Sequence, residues 1–333
     1  MSDALVDGTV VENRGALFEV QVQGRVVRCV LRGRLKHVKK GERRAAATPV
    51  AAGDRVRIAL LEPGRGVIEE VLPRETGLSR TAAGSVPLRQ TLVANVDQAV
   101  IVFAAAEPRP DLFMLDRLIV AAIAGELEPL IVINKVDLPL EKRERPSAGW
   151  RTGDPPQADS ANRLLVDGEL LRAQFAVYRQ WFRVLFTSAA RGEGVAELRE
   201  ALRGRRSVLC GPSGVGKSSL LNAVAPGLNL RVGEVGDVTH KGRHATSGVT
   251  LVALPFGGQV ADTAGLRQFG FWEVPPEQVG AGFPDLETYL GGCQYSNCSH
   301  RREQGCAIRE ALRSGRVDAR RVLSYLQLAG GST

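Results

Sequence analysis

Apolar positions along the 333-residue chain change period twice, dividing it into three stretches. Over the first eighty or so residues they alternate with polar ones. Phe18, Val20 and Val22 stand against Glu19, Gln21 and Gln23, and Val56, Ile58 and Leu60 against Arg55 and Arg57. A period of two among β-branched residues marks half-buried strands. Five are predicted, at 9–11, 17–22, 26–31, 54–60 and 66–72, with turns at Gly24-Arg25 and Pro63-Gly64-Arg65-Gly66. Short strands with tight turns and no helix fit a small barrel of the OB type.

From about residue 95 the pattern alternates between strands and helices, which argues an α/β unit with a parallel sheet. The continuous apolar runs at 98–104 and 129–133 suit strands covered on both faces. Between them, Asp111 can cap a helix over 112–124 with Leu115, Leu118, Ile119, Ala122 and Ile123 on one face. Further helices are predicted at 164–182 and 194–202, and strands at 184–186 and 207–210. A hairpin of 250–254 with 259–261 follows a long polar connection at 233–248. Residues 141–163, charged and rich in Pro, Gly and Asp, read as a flexible surface insertion. Two short helices, 307–314 and 318–327, close the chain. The expected architecture is multidomain: an OB-like β-barrel over 1–82, an α/β domain over 83–275, and a helical domain over 276–333.

The chemistry concentrates in the middle stretch. Gly211-Pro212-Ser213-Gly214-Val215-Gly216-Lys217-Ser218, with Ser219 beginning the next helix, fits the phosphate-binding pattern G-x-x-x-x-G-K-[ST] between a strand and a helix. Glycines there let backbone N–H groups turn toward one anion, and the helix N-terminus adds its positive end. Lys217 is expected on the β- and γ-phosphates and the Ser218 hydroxyl on magnesium. Upstream, Asn134-Lys135-Val136-Asp137 ends a predicted strand, where ligands bind in open α/β sheets. The Asp137 carboxylate can accept from guanine N1–H and its exocyclic amine, while the Asn134 amide bonds the O6/N7 edge. Adenine would leave these groups unpaired. Two such mismatches are worth roughly 2–6 kcal/mol. Backbone N–H groups of Ser188 and Ala189, after Thr187, can support the same base. Downstream, the polar segment at 233–248 offers Thr246 to magnesium in the manner of a mobile switch. Asp262-Thr263-Ala264-Gly265 places Asp262 to hold magnesium through water and the Gly265 N–H to sense the γ-phosphate. Leu266, where a glutamine would orient the attacking water, cannot do so, and His244 is the candidate for that role.

Cys293, Cys298, His300 and Cys306 lie within fourteen residues, three thiols and an imidazole able to close a tetrahedral structural zinc site. A disulfide is the alternative, and it would leave one thiol over. The net charge of +8 points to a polyanionic partner, nucleic acid first. Two places carry it: the basic loop at 32–44, and the C-terminal Arg301, Arg302, Arg309, Arg313, Arg316, Arg320 and Arg321, which together suggest a cationic surface for RNA backbone. A solvated loop is the alternative for the first. No stretch of about 18 apolar residues exists, and the N-terminus lacks the pattern of a signal peptide, so a cytoplasmic protein without a membrane partner is expected.

The order of these parts resembles the circularly permuted GTPases known as ribosome small subunit-dependent GTPase A. A barrel, the guanine motif, Thr187-Ser188-Ala189, the phosphate loop, Gly242-Arg243-His244, Asp262-Thr263-Ala264-Gly265 and the Cys/His cluster follow one another as in that family. The guanine motif preceding the phosphate loop is the permutation. The resemblance implies a central GTPase domain turning GTP into GDP with magnesium, stimulated by the small ribosomal subunit, and a role in late maturation of that subunit. It also implies guanine specificity from Asn134 and Asp137 and one zinc on the four C-terminal ligands; the expected partner is the small subunit with its ribosomal RNA, and the expected state a monomer. Two departures stand out. Ala245 replaces the first threonine after the switch histidine, leaving Thr246 and Ser247 both open as magnesium ligands, and the usual D-T-P-G is D-T-A-G. The competing reading is a nucleotide-gated RNA-binding scaffold with negligible turnover.

Overall fold

The structure, a computed structural model, describes residues 5–36, 50–82, 88–138, 172–173, 175–228, 249–263 and 274–330. Strands β1 (Leu5–Asn13), β2 (Leu17–Val22), β3 (Arg25–Leu31), β4 (Arg55–Glu62) and β5 (Arg65–Val71) pair in the order β1-β2-β3-β5-β4. Pairing of β4 back onto β1 closes the barrel. Closure follows from the alternation: Val10, Phe18, Val20, Val27, Cys29, Ile58 and Ile68 fill one interior, and no strand edge is left bare. One prediction fails locally. Leu60 was expected inside with Val56 and Ile58, yet it is exposed. The alternation breaks at Ile58 and Ala59, both buried, just after the β4–β5 register shift between Arg57 and Ile58; such a bulge turns the strand over. A short helix, α1 (Gly33–Lys36), starts the basic loop. Residues 37–44 of that loop, and the insertion expected at 141–163, lie outside the described residues.

The hairpin of β6 (Gly77–Ala82) and β7 (Leu88–Ala94) spans the boundary expected at 82. Its Leu78 and Val93 belong to the core beneath the central sheet rather than to the barrel. The barrel is tied to it by Asp54, buried and gripped by both Arg74 Nε and Nη2 at 2.7 and 2.8 Å, while Arg74 Nη1 donates to Thr91.

The central sheet comprises β8 (Gln98–Ala104), β9 (Glu128–Asn134), β10 (Arg183–Phe186), β11 (Arg206–Cys210), β12 (Val249–Ala253) and β13 (Gln259–Thr263), in the order β10-β9-β8-β11-β13-β12. All pairs are parallel except β12 with β13, and β12 meets β1 at Thr250 and Glu12, so sheet and barrel are continuous. Every residue of β8 is buried because it has a layer on each face. Ile101 and Phe103 pack with α2 (Leu112–Ala124) and α3 (Ala176–Arg179). Val100 and Val102 pack with α4 (Val195–Leu202) and α5 (Lys217–Val224). The helix predicted over 164–182 is described only at its end, where α3 stops at Arg179, and residues 139–171 lie outside the described residues.

The C-terminal module carries α6 (Pro276–Val279), the 3-10 turn Gly280–Gly282, α7 (Pro284–Glu287), α8 (Ala307–Arg313) and α9 (Ala319–Ala329). Val279, Phe283, Leu286, Ile308 and Val322 close its core around Val120 of α2. Gly282 is required there, since a Cβ would stand 2.4 Å from Val120 Cγ2 and 3.0 Å from its Cα. Beside this contact lies a charged joint. Asp116 of α2 has no exposed surface, and Arg320 Nη1 donates to its Oδ2 at 2.8 Å. Arg321 Nη1 and the Tyr178 hydroxyl both donate to its Oδ1. Arg321 also donates from Nη2 to Asp285 at 2.6 Å and to the Gly282 carbonyl, with its guanidinium 4.2 Å from the Phe283 ring centre. Burial alone would lower the Arg321 pKa; Asp116 and Asp285 outweigh it and hold the group above its usual value. The expectation of an RNA-facing surface is corrected for these two residues: Arg320 and Arg321 are turned inward onto a carboxylate from a distant part of the chain.

Gly282→Ala is expected to cost about 1–3 kcal/mol by overpacking against Val120, read as an earlier unfolding transition in denaturant. Gly33→Ala, at a site with nothing within 4 Å, is the control and should leave the transition in place.

Candidate functional site

Because β9, β10, β11 and β13 run parallel, their carboxyl ends share one edge of the sheet, and the motifs meet there. Asn134 ends β9, Thr187 follows β10 and Gly211 follows β11. The phosphate loop needs its glycines. Gly211 has φ +130° and a Cβ there would stand 2.0 Å from the Val102 carbonyl of β8, while Gly216 has φ +91° and a Cβ 2.4 Å from Asn134 Nδ2. Val215 points into the core between these glycines. α5 then starts at Lys217 with no side-chain cap, so the positive end of the helix faces the loop without a capping carboxylate or hydroxyl. Lys217 Nζ donates to the Gly211 and Pro212 carbonyls at 2.8 and 2.6 Å, which sets the ammonium beside the loop. The residues present therefore fit a phosphate chain at Gly211, Pro212, Ser213, Gly214, Val215, Gly216, Lys217, Ser218 and Ser219, with Ser218 on the first turn of α5 available to a magnesium ion.

Asn134 does more than the sequence suggests. It is 1% exposed, and its Nδ2 donates to the Val215 carbonyl at 2.9 Å. Its Oδ1 accepts from Thr187 Oγ1 at 3.3 Å and from the Ala189 N–H at 3.2 Å. One amide thus pins together the guanine motif, the phosphate loop and the Ser-Ala turn, and one N–H is left for a base. Thr187, which no motif singled out for its hydroxyl, is part of this clamp. The Ser188 N–H bonds the Glu193 carbonyl at 2.9 Å instead of facing a base. Its hydroxyl acts on Asp137: that hydrogen bond is the main reason the Asp137 carboxyl sits below its ordinary range. Lys135, with φ +62°, reaches across to donate from Nζ to the Glu107 carbonyl, and the Val136 N–H bonds the Thr187 carbonyl at 3.2 Å. The backbone of Asp262 pairs with Thr250 at the end of β13, but its side chain lies outside the described residues, as do His244, Thr246, Ser247, Gly265 and Leu266.

The four C-terminal candidates converge. The ligand atoms of Cys293, Cys298, His300 and Cys306 all lie within 4.8 Å of one another. Zinc bonds of about 2.3 Å to sulfur and about 2.0 Å to nitrogen, at tetrahedral angles, separate S from S by about 3.8 Å and S from N by about 3.5 Å. The Cys293–Cys306 sulfurs stand 3.9 Å apart, and His300 Nδ1 stands 3.4 and 3.5 Å from them. Two sulfurs in a disulfide would be about 2.0 Å apart, and all five cysteines of the chain are free thiols. Burial holds the His300 imidazole below its usual pKa, in the neutral form a metal requires, and burial pushes the Cys298 thiol up to about 12. Three thiols, which give up their protons as a metal binds, and one imidazole make a donor set that fits zinc. The Ala307 N–H lies 3.4 Å from Cys293 Sγ and can steady the thiolate.

A family model described as RsgA GTPase matches residues 71–150 and 162–272. The chain is 41% identical over 322 residues to the small ribosomal subunit biogenesis GTPase RsgA of Moorella thermoacetica, covering 96% of this chain and 95% of that one. It is 40% identical over 325 residues to the protein of the same name from Gemmatimonas aurantiaca, with 96% and 95% covered. Among solved structures it is similar to YjeQ from Thermotoga maritima, at TM-score 0.71 and 30% identity, covering 99% of this chain and 100% of that one. It is also similar to YloQ, described as a circularly permuted GTPase, at TM-score 0.66 and 26% identity, with 98% and 94% covered.

Asn134→Ala is expected to lower thermal stability even without nucleotide, because the Val215 carbonyl and the Ala189 N–H lose their partner at about 1–3 kcal/mol each. Asp137→Ala, at a half-buried site where only the Ser188 hydrogen bond is lost, should cost less. Equal melting temperatures for the two variants would contradict the clamp.

Proposed function

Because the chain belongs to the RsgA GTPase family, it is a GTP hydrolase, and we propose that it acts on the small ribosomal subunit during late maturation, with turnover stimulated by that subunit. The observation that carries this reading is the Asn134 clamp, which seats a guanine-type motif and a phosphate loop at one sheet edge. In this reading Asp137, oriented by Ser188, accepts from guanine N1–H and the exocyclic amine, and the free N–H of Asn134 donates to N7. Lys135 walls the base. The N–H groups of 211–219 and the Lys217 ammonium hold the phosphates in register for in-line attack by water. Ser218, Asp262 and Thr246 are the ligands we assign to magnesium, which when bound neutralises charge on the β- and γ-phosphates. The Gly265 N–H senses the γ-phosphate. Leu266 cannot orient a water, so turnover alone is slow, and His244 takes that role once the subunit is in place. Cys293, Cys298, His300 and Cys306 hold one structural zinc.

The subunit is named in the relatives' descriptions. In this chain the net charge of +8 and the exposed arginines left on the zinc module, Arg301, Arg302, Arg313 and Arg316, support contact with ribosomal RNA. Among the described residues no helix is long and apolar enough to cross a membrane. We place the protein in the cytoplasm, as a monomer.

GTP turnover with and without purified small subunits tests the proposal. Subunits should raise kcat by orders of magnitude and Lys217→Ala should remove the effect. Absence of stimulation would favour a nucleotide-gated RNA-binding scaffold. Asp137→Asn should weaken GTP and favour xanthosine triphosphate, whose C2 carbonyl takes the donor that the amide introduces. For the metal, one equivalent of zinc is expected on the purified chain. A strong chelator should unfold the C-terminal module, seen as loss of its protected amides, because zinc sites of this size derive about 10–16 kcal/mol from the metal.

A further inference from the structure

We propose that α2 couples the nucleotide site to the zinc-bearing module, with Asp116 as the residue that joins the two. The proposal rests on the nucleotide-site reading above and adds a route that the chain order does not suggest, since α2 precedes both sites in sequence.

At its start α2 touches the nucleotide site. The loop 105–110 joins β8 to α2, and Pro108 Cδ lies 3.7 Å from the Cβ position of Gly214 in the phosphate loop. Lys135 of the guanine motif donates to the Glu107 carbonyl, and the Ala105 N–H bonds the Asn134 carbonyl at 2.7 Å. Asp111 then caps α2, accepting from the Met114 N–H at 3.0 Å. Whatever fixes the phosphate loop and the guanine motif therefore fixes the entry to α2. Asp116 follows within five residues, about 7–8 Å along the axis.

At that point α2 meets the module. Its sheet-facing side, Leu112, Leu115 and Ile119, is packed in the core, while Asp116 and Val120 face α9 and the Gly282 turn. The joint is made or broken as a unit. Asp116 and Arg321 are 0% and 1% exposed, and a carboxylate stripped of its arginines inside protein is strongly disfavoured. If the module leaves, Asp116 loses both arginines and keeps only the Tyr178 hydroxyl. If α2 is held by nucleotide, the docked module is the favoured state. Linkage is reciprocal, so each site biases the other.

Amide hydrogen exchange on the full chain, with and without GDP, tests this. GDP is expected to slow exchange in Ala319–Ala329, a helix outside the proposed nucleotide site, by at least about fivefold. Arg320→Gln, which leaves Arg321 on Asp116, should retain GDP binding and lose most of that distant protection. Tyr178→Phe, which removes the hydroxyl donating to Asp116 and accepting from Arg320, should weaken it in the same direction and serves if the first variant folds poorly. Binding of GDP with protection confined to the phosphate loop and its neighbours overturns the coupling while leaving the nucleotide site intact. Undiminished protection of α9 in both variants overturns the role of the Asp116 joint. Failure of GDP to bind removes the nucleotide-site reading, and this proposal with it.

Discussion

The amide of Asn134 is the constraint on which the nucleotide site depends. Its three hydrogen bonds reach the phosphate loop 81 residues downstream and the Ser-Ala turn 55 residues downstream, and nothing local in the chain would bring these together. Parallel pairing supplies the coarse placement, since it puts the carboxyl ends of β9, β10 and β11 on one edge. The clamp supplies the fine placement. Its cost is that Asn134 is a scaffold residue, so the base-reading role proposed for the motif separates from the scaffold only when Asp137 is altered alone.

With the guanine motif ahead of the phosphate loop, both chain ends lie outside the central parallel strands. The N-terminal end becomes a barrel whose β1 continues the sheet through β12, and whose Asp54 is held by Arg74. The C-terminal end becomes a module that leaves β13 and returns to α2. The returning contact is apolar at Val120 and Gly282 and ionic at Asp116, and the ionic part gives it an all-or-none character. A packed apolar face alone could slide by small steps; a buried carboxylate between two arginines cannot.

Motif spacing and apolar period carried a large part of the outcome. The barrel strands, α2 over 112–124, the phosphate loop between β11 and α5, and the convergence of Cys293, Cys298, His300 and Cys306 were all readable from local patterns, because each is set by residues close in sequence. Register was less readable. Leu60 obeys the alternation of its strand on paper and leaves the barrel core at a bulge, which depends on the partner strand. The β6–β7 hairpin drew no signal of its own, since its buried side is completed by the core under the sheet. Ser188 was picked for its backbone and acts through its hydroxyl on Asp137, a matter of how the turn at Glu193 folds back.

The sequence by itself determined which chemistry the chain holds: a phosphate loop, a guanine motif ahead of it and a four-ligand metal cluster, each a short run whose spacing dictates its geometry. Only the tertiary structure decided which charges are surface and which are joint. Arg313 and Arg321 look alike in the chain, both on short helices near the end. Arg313 is exposed and pairs with Glu310 one turn away. Arg321 is buried against Asp116, 205 residues earlier. Helical period can say which way a side chain points, but only the fold supplies the carboxylate it meets.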